Sequence, residues 1–446
     1  MKNFLKISSL VLIILTTLRL SVAAQENLYT LEDCINYALE NSTDMGRANN
    51  EVKSQESWLE QKKSARNPNL FFSGKQTLRT GKKFVENDYE ETWDWENSSN
   101  LNFSLNSNIT LYNGAKLKNA IIQGQTNLEA AASDIQTQEE LISLDVLSAY
   151  ISVLFAKEQL KNDEAVLEAT TKQLEQATVR KEAGVLSPSD YLNIKSQYAT
   201  DKASLVAAQS NLRLSLVSLM QLMNMPVNNT FEIVEPDIDV LLATGSETDA
   251  ANVYEMALEL QPGIKTAKLD LQSAEIDIQL SKADALPVVS LSADMTTWYS
   301  NAQNNLSFKN QLSNQFTPSL GMSLSIPIYQ RKQIKNSVLQ AKIAADNIKY
   351  NLTDIKNDLR KAIEQACTDA QSANSAYLSS MEQLEAQQES YRVSEEMFAQ
   401  GMVNSVDYLT SKNNLTSAET DLTRAKYTVV LQNKIVEYYM GNQIKL

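Results

Sequence analysis

Two proline-free runs with apolar or small residues at a spacing of seven constrain this chain more than any other feature. Ile121, Leu128, Ile135, Ile142 and Ala149 form the first, and adding 217 to each number gives Val338, Ala345, Leu352, Leu359 and Ala366. No proline falls between Lys116 and Lys181 or between Lys332 and Ala399. Each run therefore predicts one helix of about 65 residues, ~100 Å long at 1.5 Å per residue. A spacing of seven gives a seam that winds left-handed around neighbouring helices. Tyr198, Leu205, Leu212 and Leu219 return, by the same offset, as Leu415, Leu422, Val429 and Val436. Each half of the chain thus carries one coiled-coil hairpin.

The turns between the paired helices repeat as well. "KEAGVLSPSDYL" (181–192) stops a helix at Gly184 and starts the next at Ser187 with Pro188 behind it; "AQGMVNSVDYL" (399–409) does so with Gly401 and Asn404. Val185 and Leu186, and their counterparts Met402 and Val403, are apolar where water favours polar residues. They are expected to meet a partner. Asp190 and Asp407 stand three residues after the caps, where a carboxylate complements the helix dipole and can reach back to the cap's backbone N–H.

The chain has no histidine, which removes imidazole catalysis and zinc sites with His ligands, and its acids are spread along helix faces without a convergent cluster. No enzyme, cofactor or metal is expected. Cys34 and Cys367 read as ordinary helix residues. "MKNFLKISSLVLIILTTLRLSVAAQ" has two early lysines, a short apolar run and small residues before Gln25, the pattern of a cleaved secretory signal over 1–24. Its loss takes away Lys2, Lys6 and Arg19 and no acid, so the net charge moves by three from −14 to −17. Nucleic-acid binding does not suit such a chain.

Shorter helical tracts near 30–66 and 249–284 open the halves, broken at "NST" (41–43) and "QPG" (261–263). Between short and long helices the period changes to two. Leu101, Phe103, Leu105, Ile109 and Leu111 alternate with Asn102, Ser104, Asn106, Asn108 and Thr110. "PSLGMSLSIPIY" (318–329) and "PVVSLSADMTTW" (287–298) repeat the alternation, and "PNLFFSGKQTL" (68–78) is a fourth, weaker strand. Such segments suit tilted membrane strands, apolar to lipid and polar to a lumen, or a soluble sheet with one buried face. "GKKFVENDYEETWDWENSS" (81–99) and "SNAQNNLSFKNQLSNQ" (300–315) are expected as loops facing the exterior.

This order of helix, two strands, long helix, tip and return helix, given twice over residues 28–445, resembles the TolC-like outer-membrane channel family, and "GxxSxxDxL" and "GxxNxxDxL" at Gly184 and Gly401 look like its tip turns. The resemblance implies a mainly α fold with a small β part. Long helical hairpins would form an α-barrel, and four membrane strands per chain would complete a 12-stranded β-barrel in a homotrimer. Residues 25–225 and 249–446 would be the two structural repeats, joined by a linker at 226–248. The implied function is the outer-membrane duct of a tripartite efflux or type I secretion system in a Gram-negative bacterium, passive and extending into the periplasm. Its partners would be outer-membrane lipid, a periplasmic adaptor and an inner-membrane pump. Gly184, Val185, Leu186, Ser187, Gly401, Met402, Val403 and Asn404 would then be the adaptor-docking tips, and Asp190 and Asp407 the entrance constriction. Val403 stands where the family's best-known member has an arginine that ties the constriction shut, and Thr410 where it has a second aspartate. The alternative is a periplasmic or surface coiled-coil scaffold without transport activity, which leaves the four strands unexplained.

Overall fold

The computed structural model describes residues 28–87, 90–227, 231–238, 242, 249–302, 306–442 and 444–445. The expected signal segment and much of the 226–248 linker lie outside them. The helices are α1 (Leu31–Asn41), α2 (Thr43–Ser64), α3 (Lys116–Glu182), α4 (Pro188–Leu222), α5 (Ala250–Leu260), α6 (Pro262–Ala283), α7 (Phe308–Asn314), α8 (Gln333–Ala399) and α9 (Ser405–Tyr439). The strands are β1 (Leu28–Tyr29), β2 (Phe71–Asn87), β3 (Glu90–Tyr112), β4 (Glu232–Ile233), β5 (Val288–Ser300) and β6 (Thr317–Ser325). Each of α3 and α8 runs 67 residues without a break. The helices group with the strands into two compact units, each drawing on both halves of the sequence.

One unit, 50–133 with 265–355, holds the sheet. Its strand order is β2-β3-β5-β6, all antiparallel, so β2 and β6 are the edges. Residues opposite one another in an antiparallel pair lie on the same face. Phe72 is opposite Leu105, which is opposite Met295; Ile109 faces Leu291, which faces Met322; Val289 faces Leu324. The alternating apolar positions of the four strands therefore share one face, with Phe71 and Trp298 as exceptions on the other. Ser73, Ser104 and Thr296 share the other, with Asn102, Asn108, Ser292 and Ser323. An irregularity at Thr110/Tyr112 is where this register shifts, and Val289 keeps the apolar phase through it.

Both expected loops between strands are corrected. Residues 81–87 and 90–99 are strand, not loop: β2 and β3 pair from Phe71↔Asn106 to Asn87↔Glu90, so the weakest strand of the sequence is 17 residues long. Cross-strand pairing along the whole ribbon overrides a charged, turn-like composition. The 300–315 segment contains α7, whose N-cap Ser307 accepts from the Asn310 N–H. The chain passes from β3 to α3 through Gly114 and Ala115, and into α8 through Arg331 and Lys332, four consecutive-pair residues with φ of 67°, 66°, 48° and 65°. The offset of 217 relates the pairs, so the left-handed turn recurs where its glycine does not.

The other unit, 28–49 with 134–264 and 356–445 of the described chain, holds the helical hairpins. Leu31, Cys34 and Ala38 recur on one face of α1 and bury against Val146, Leu147, Tyr150 and Leu154 of α3 and Leu219 and Met223 at the end of α4. Within the 226–248 segment, β4 pairs in parallel with β1, Leu28 opposite Glu232. The Tyr150 hydroxyl reaches the carbonyl oxygens of Val234 at 2.6 Å and Tyr29 at 3.2 Å, the latter also accepting from the Val234 N–H at 3.0 Å. Cys34 and Cys367 are free thiols, and burial pushes the Cys34 thiol up to about 12. It is inert packing.

Candidate functional site

Both hairpin turns use one backbone solution. After α3 the Val185 N–H bonds the Arg180 carbonyl at 3.0 Å and the Gly184 N–H bonds that of Lys181 at 3.0 Å. After α8, Met402 bonds Met397 at 2.9 Å and Gly401 bonds Phe398 at 3.1 Å. This doubled closure needs a left-handed residue at the turn, and Gly184 and Gly401 supply it at φ +75° and +74°. Nothing lies within 4 Å of where a Cβ would sit at either glycine, so backbone conformation, not crowding, selects glycine there. Val185 is 68% exposed and Met402 61%, while Leu186 and Val403 are half-buried. Each tip thus holds one apolar side chain in solvent and one half-buried.

The caps then diverge. Ser187 Oγ accepts from the Asp190 N–H at 3.1 Å, and Asn404 Oδ1 accepts from the Asp407 N–H at 2.9 Å. The Asp190 carboxylate does not turn back to the cap's backbone N–H. It accepts from Ser187 Oγ at 2.6 Å and, across to the second tip, from the Ser405 N–H at 3.2 Å. Asn193 adds a 3.0 Å bond to Ser405 Oγ. Hydrogen bonds from Ser187 and Ser405 hold Asp190 below the ordinary carboxylate value, so it is an anion at neutral pH. Asp407 is exposed. The structure thus brings Asp190 into the joint between the two tips and leaves Asp407 facing water.

Behind the tips lies a polar junction that the sequence reading missed. The aromatic rings of Phe398 and Tyr408 stack at 4.7 Å, and the Tyr391 and Tyr408 hydroxyls meet at 3.1 Å beside Gln173. Burial raises both phenols above the ordinary tyrosine value, so they stay neutral. One turn deeper, Lys412 of α9 and Asp201 of α4, 5% and 7% exposed, form an ion pair at 3.3 Å. Thr170 of α3 bonds both, and Gln197 donates to the other Asp201 oxygen at 2.7 Å. Burial pulls the Lys412 pKa down, against the attraction of Asp201. The available signal was Asp201 one heptad ahead of the buried Ala208, a charge in a seam position. Among the described residues there is no group of acids and thiols able to hold a metal.

The family model described as outer membrane efflux protein matches residues 34–225 and 253–442, most of the chain. The chain belongs to that family. Outer membrane protein TolC of Salmonella enteritidis is 24% identical over 361 residues, 77% of this chain and 70% of that one. The outer membrane efflux protein BepC of Brucella suis is 21% identical over 402 residues, covering 90% and 83%. Among solved structures, the Vibrio cholerae outer membrane protein VceC superposes with a TM-score of 0.75 at 16% identity, over 93% of this chain and 96% of that one. The open-state MtrE channel of Neisseria gonorrhoeae gives 0.72 at 16%, over 93% and 89%. The TolC-like fold, with long helical hairpins and a small β part, is therefore that of this chain. It is an outer-membrane channel of the efflux and secretion class.

Proposed function

We propose that three copies of the chain form a passive duct across the outer membrane and into the periplasm, with the helical hairpins as its α-barrel and the tips as its docking end. The observation that carries this is the four-stranded sheet, whose apolar positions are in register on one face while β2 and β6 remain edges. An open edge does not persist in lipid, so the sheet must close with other copies. Two copies would supply eight strands, a barrel filled by its own side chains; three supply twelve and leave a lumen. The helices also offer faces for neighbours: Leu339, Ile343 and Tyr350 along α8, and Leu192, Val206 and Leu214 along α4, are exposed.

In this reading residues 25–225 and 249–446 are two repeats that each contribute two strands and one hairpin. The tips Gly184, Val185, Leu186, Ser187, Gly401, Met402, Val403 and Asn404 meet the hairpin of a periplasmic adaptor, which couples the duct to an inner-membrane pump. Solvent-exposed Val185 and Met402 on glycine turns with open space around them support that contact. The double substitution Val185→Glu, Met402→Glu should abolish export while trimer and barrel persist. Unchanged drug susceptibility or secretion at normal expression would contradict docking through the tips. Asp190 and Asp407 are proposed to ring the entrance, Asp190 from the joint between tips and Asp407 from the solvent side. Cation preference and block by multivalent cations in single-channel recordings should then weaken more in Asp407→Asn than in Asp190→Asn.

A further inference from the structure

We propose that the end of the sheet where its strands pass into helices is a docking surface for anionic phospholipid of the periplasmic leaflet. The proposal rests on the outer-membrane reading and names the lipid that the chain selects there. The order β2-β3-β5-β6, with every pair antiparallel, puts four junctions at one end of the sheet: α2 into β2, β3 into α3, α6 into β5 and β6 into α8.

Those junctions carry positive charge that the chain itself does not balance. Residues 61–70 hold Lys62, Lys63 and Arg66, and 112–120 hold Lys116 and Lys118. Lys282 lies in 280–288, and Arg331, Lys332 and Lys335 lie in 326–337. Against these nine cations the four stretches hold one acid, Asp284, in a chain whose net charge is −14. Asp284 pairs with Lys116. The other eight cations are exposed and, among the described residues, have no ion-pair partner.

Helix dipoles account for only part of this belt. Lys62, Lys63 and Lys282 sit in the last turns of α2 and α6, where a cation complements the dipole. Lys116 and Lys118 open α3, and Arg331, Lys332 and Lys335 stand at the start of α8, the end of a helix that favours negative charge. Neither first turn holds an acid. Apart from Lys116, these cations are gathered where the helix end repels them, and no carboxylate of the chain answers them.

The neighbouring surface says which kind of anion fits. Tyr112 pairs with Val289, which pairs with Leu324, so this row closes the apolar face of the sheet at its junction end. Beyond β6, Ile328 and Tyr329 are 95% and 79% exposed, just ahead of Arg331. Aliphatic side chains thus give way to tyrosine and then to Lys and Arg, the order of acyl chains, interface and phosphates in a leaflet. The long basic stems can lie along the apolar layer with their charged ends among the phosphates, and clustered cations beside a membrane favour anionic over zwitterionic headgroups. A soluble polyanion would leave Ile328 and Tyr329 unexplained.

The test titrates the mature protein in neutral detergent with phosphatidylglycerol or with phosphatidylcholine at equal concentration, and counts the lipids retained by native mass spectrometry. The expected result is several-fold greater retention of phosphatidylglycerol, with a preference that falls as salt rises. Arg331→Gln, Lys332→Gln and Lys335→Gln together should cut that preference, and so should Lys62→Gln, Lys63→Gln and Arg66→Gln. Lys195→Gln with Lys202→Gln, on α4, should leave it intact, and unchanged melting curves check the fold of each variant. Equal retention of the two lipids, or a preference that survives both junction sets, would overturn the proposal. Equal retention combined with binding to isolated peptidoglycan that the junction variants lose would overturn it in favour of the cell wall. Retention of neither lipid, by a protein that stays dispersed without detergent, would overturn the outer-membrane reading as well.

Discussion

Asp190 ties two tips with one carboxylate, and the hydrogen bonds from Ser187 and Ser405 that do so lower its pKa from 3.8. A carboxyl whose folded pKa is depressed stabilises the fold above its unfolded value and ceases to do so as pH falls through the folded one. Acid melting curves should therefore show a loss of stability below about pH 4 that is absent in Asp190→Asn, which lacks the titrating group. A wild type and variant with parallel pH dependence would remove Asp190 from the joint. The Lys412–Asp201 pair makes a second claim at this scale. Taking away one partner strands a buried charge, so Lys412→Met or Asp201→Leu alone should cost about 3–5 kcal/mol, and the two together far less. A double-mutant cycle in denaturant measures the coupling. Arg331 offers the opposite sign: at φ 48° in an exposed turn, Arg331→Gly should add about 1 kcal/mol.

The elements differ in how far the sequence disclosed them. Heptads without proline placed α3 and α8 to within a residue, because a long helix is specified locally at every turn. Glycine and cap placed the turns for the same reason. The β2–β3 ribbon was not legible: Gly81, Asn87 and a run of acids read as loop, and only pairing with a strand up to 35 residues away in sequence holds it. The Asp201–Lys412 junction was hidden for a stronger version of that reason, its partners being 211 residues apart on separate hairpins. Alternation did disclose which face of the sheet is apolar, and this carries its own test. Met322→Arg, on the apolar face, should cost about 2–4 kcal/mol of folding stability in lipid, whereas the adjacent Ser323→Arg should cost little. Equal costs would contradict a lipid-facing Met322.

At the scale of the whole molecule, one chain is an incomplete object. Its sheet has two edges, and its long helices carry exposed apolar stripes on α4 and α8. In the proposed assembly both insufficiencies would be met by the same operation, a rotation that would bring β6 of one copy to β2 of the next and seat helices beside helices. The most direct measurement is native mass spectrometry of the mature protein released from detergent. The account predicts a single dominant species at three times the mass of the mature chain, resistant to dissociation. A stable monomer or dimer under the same conditions would contradict it.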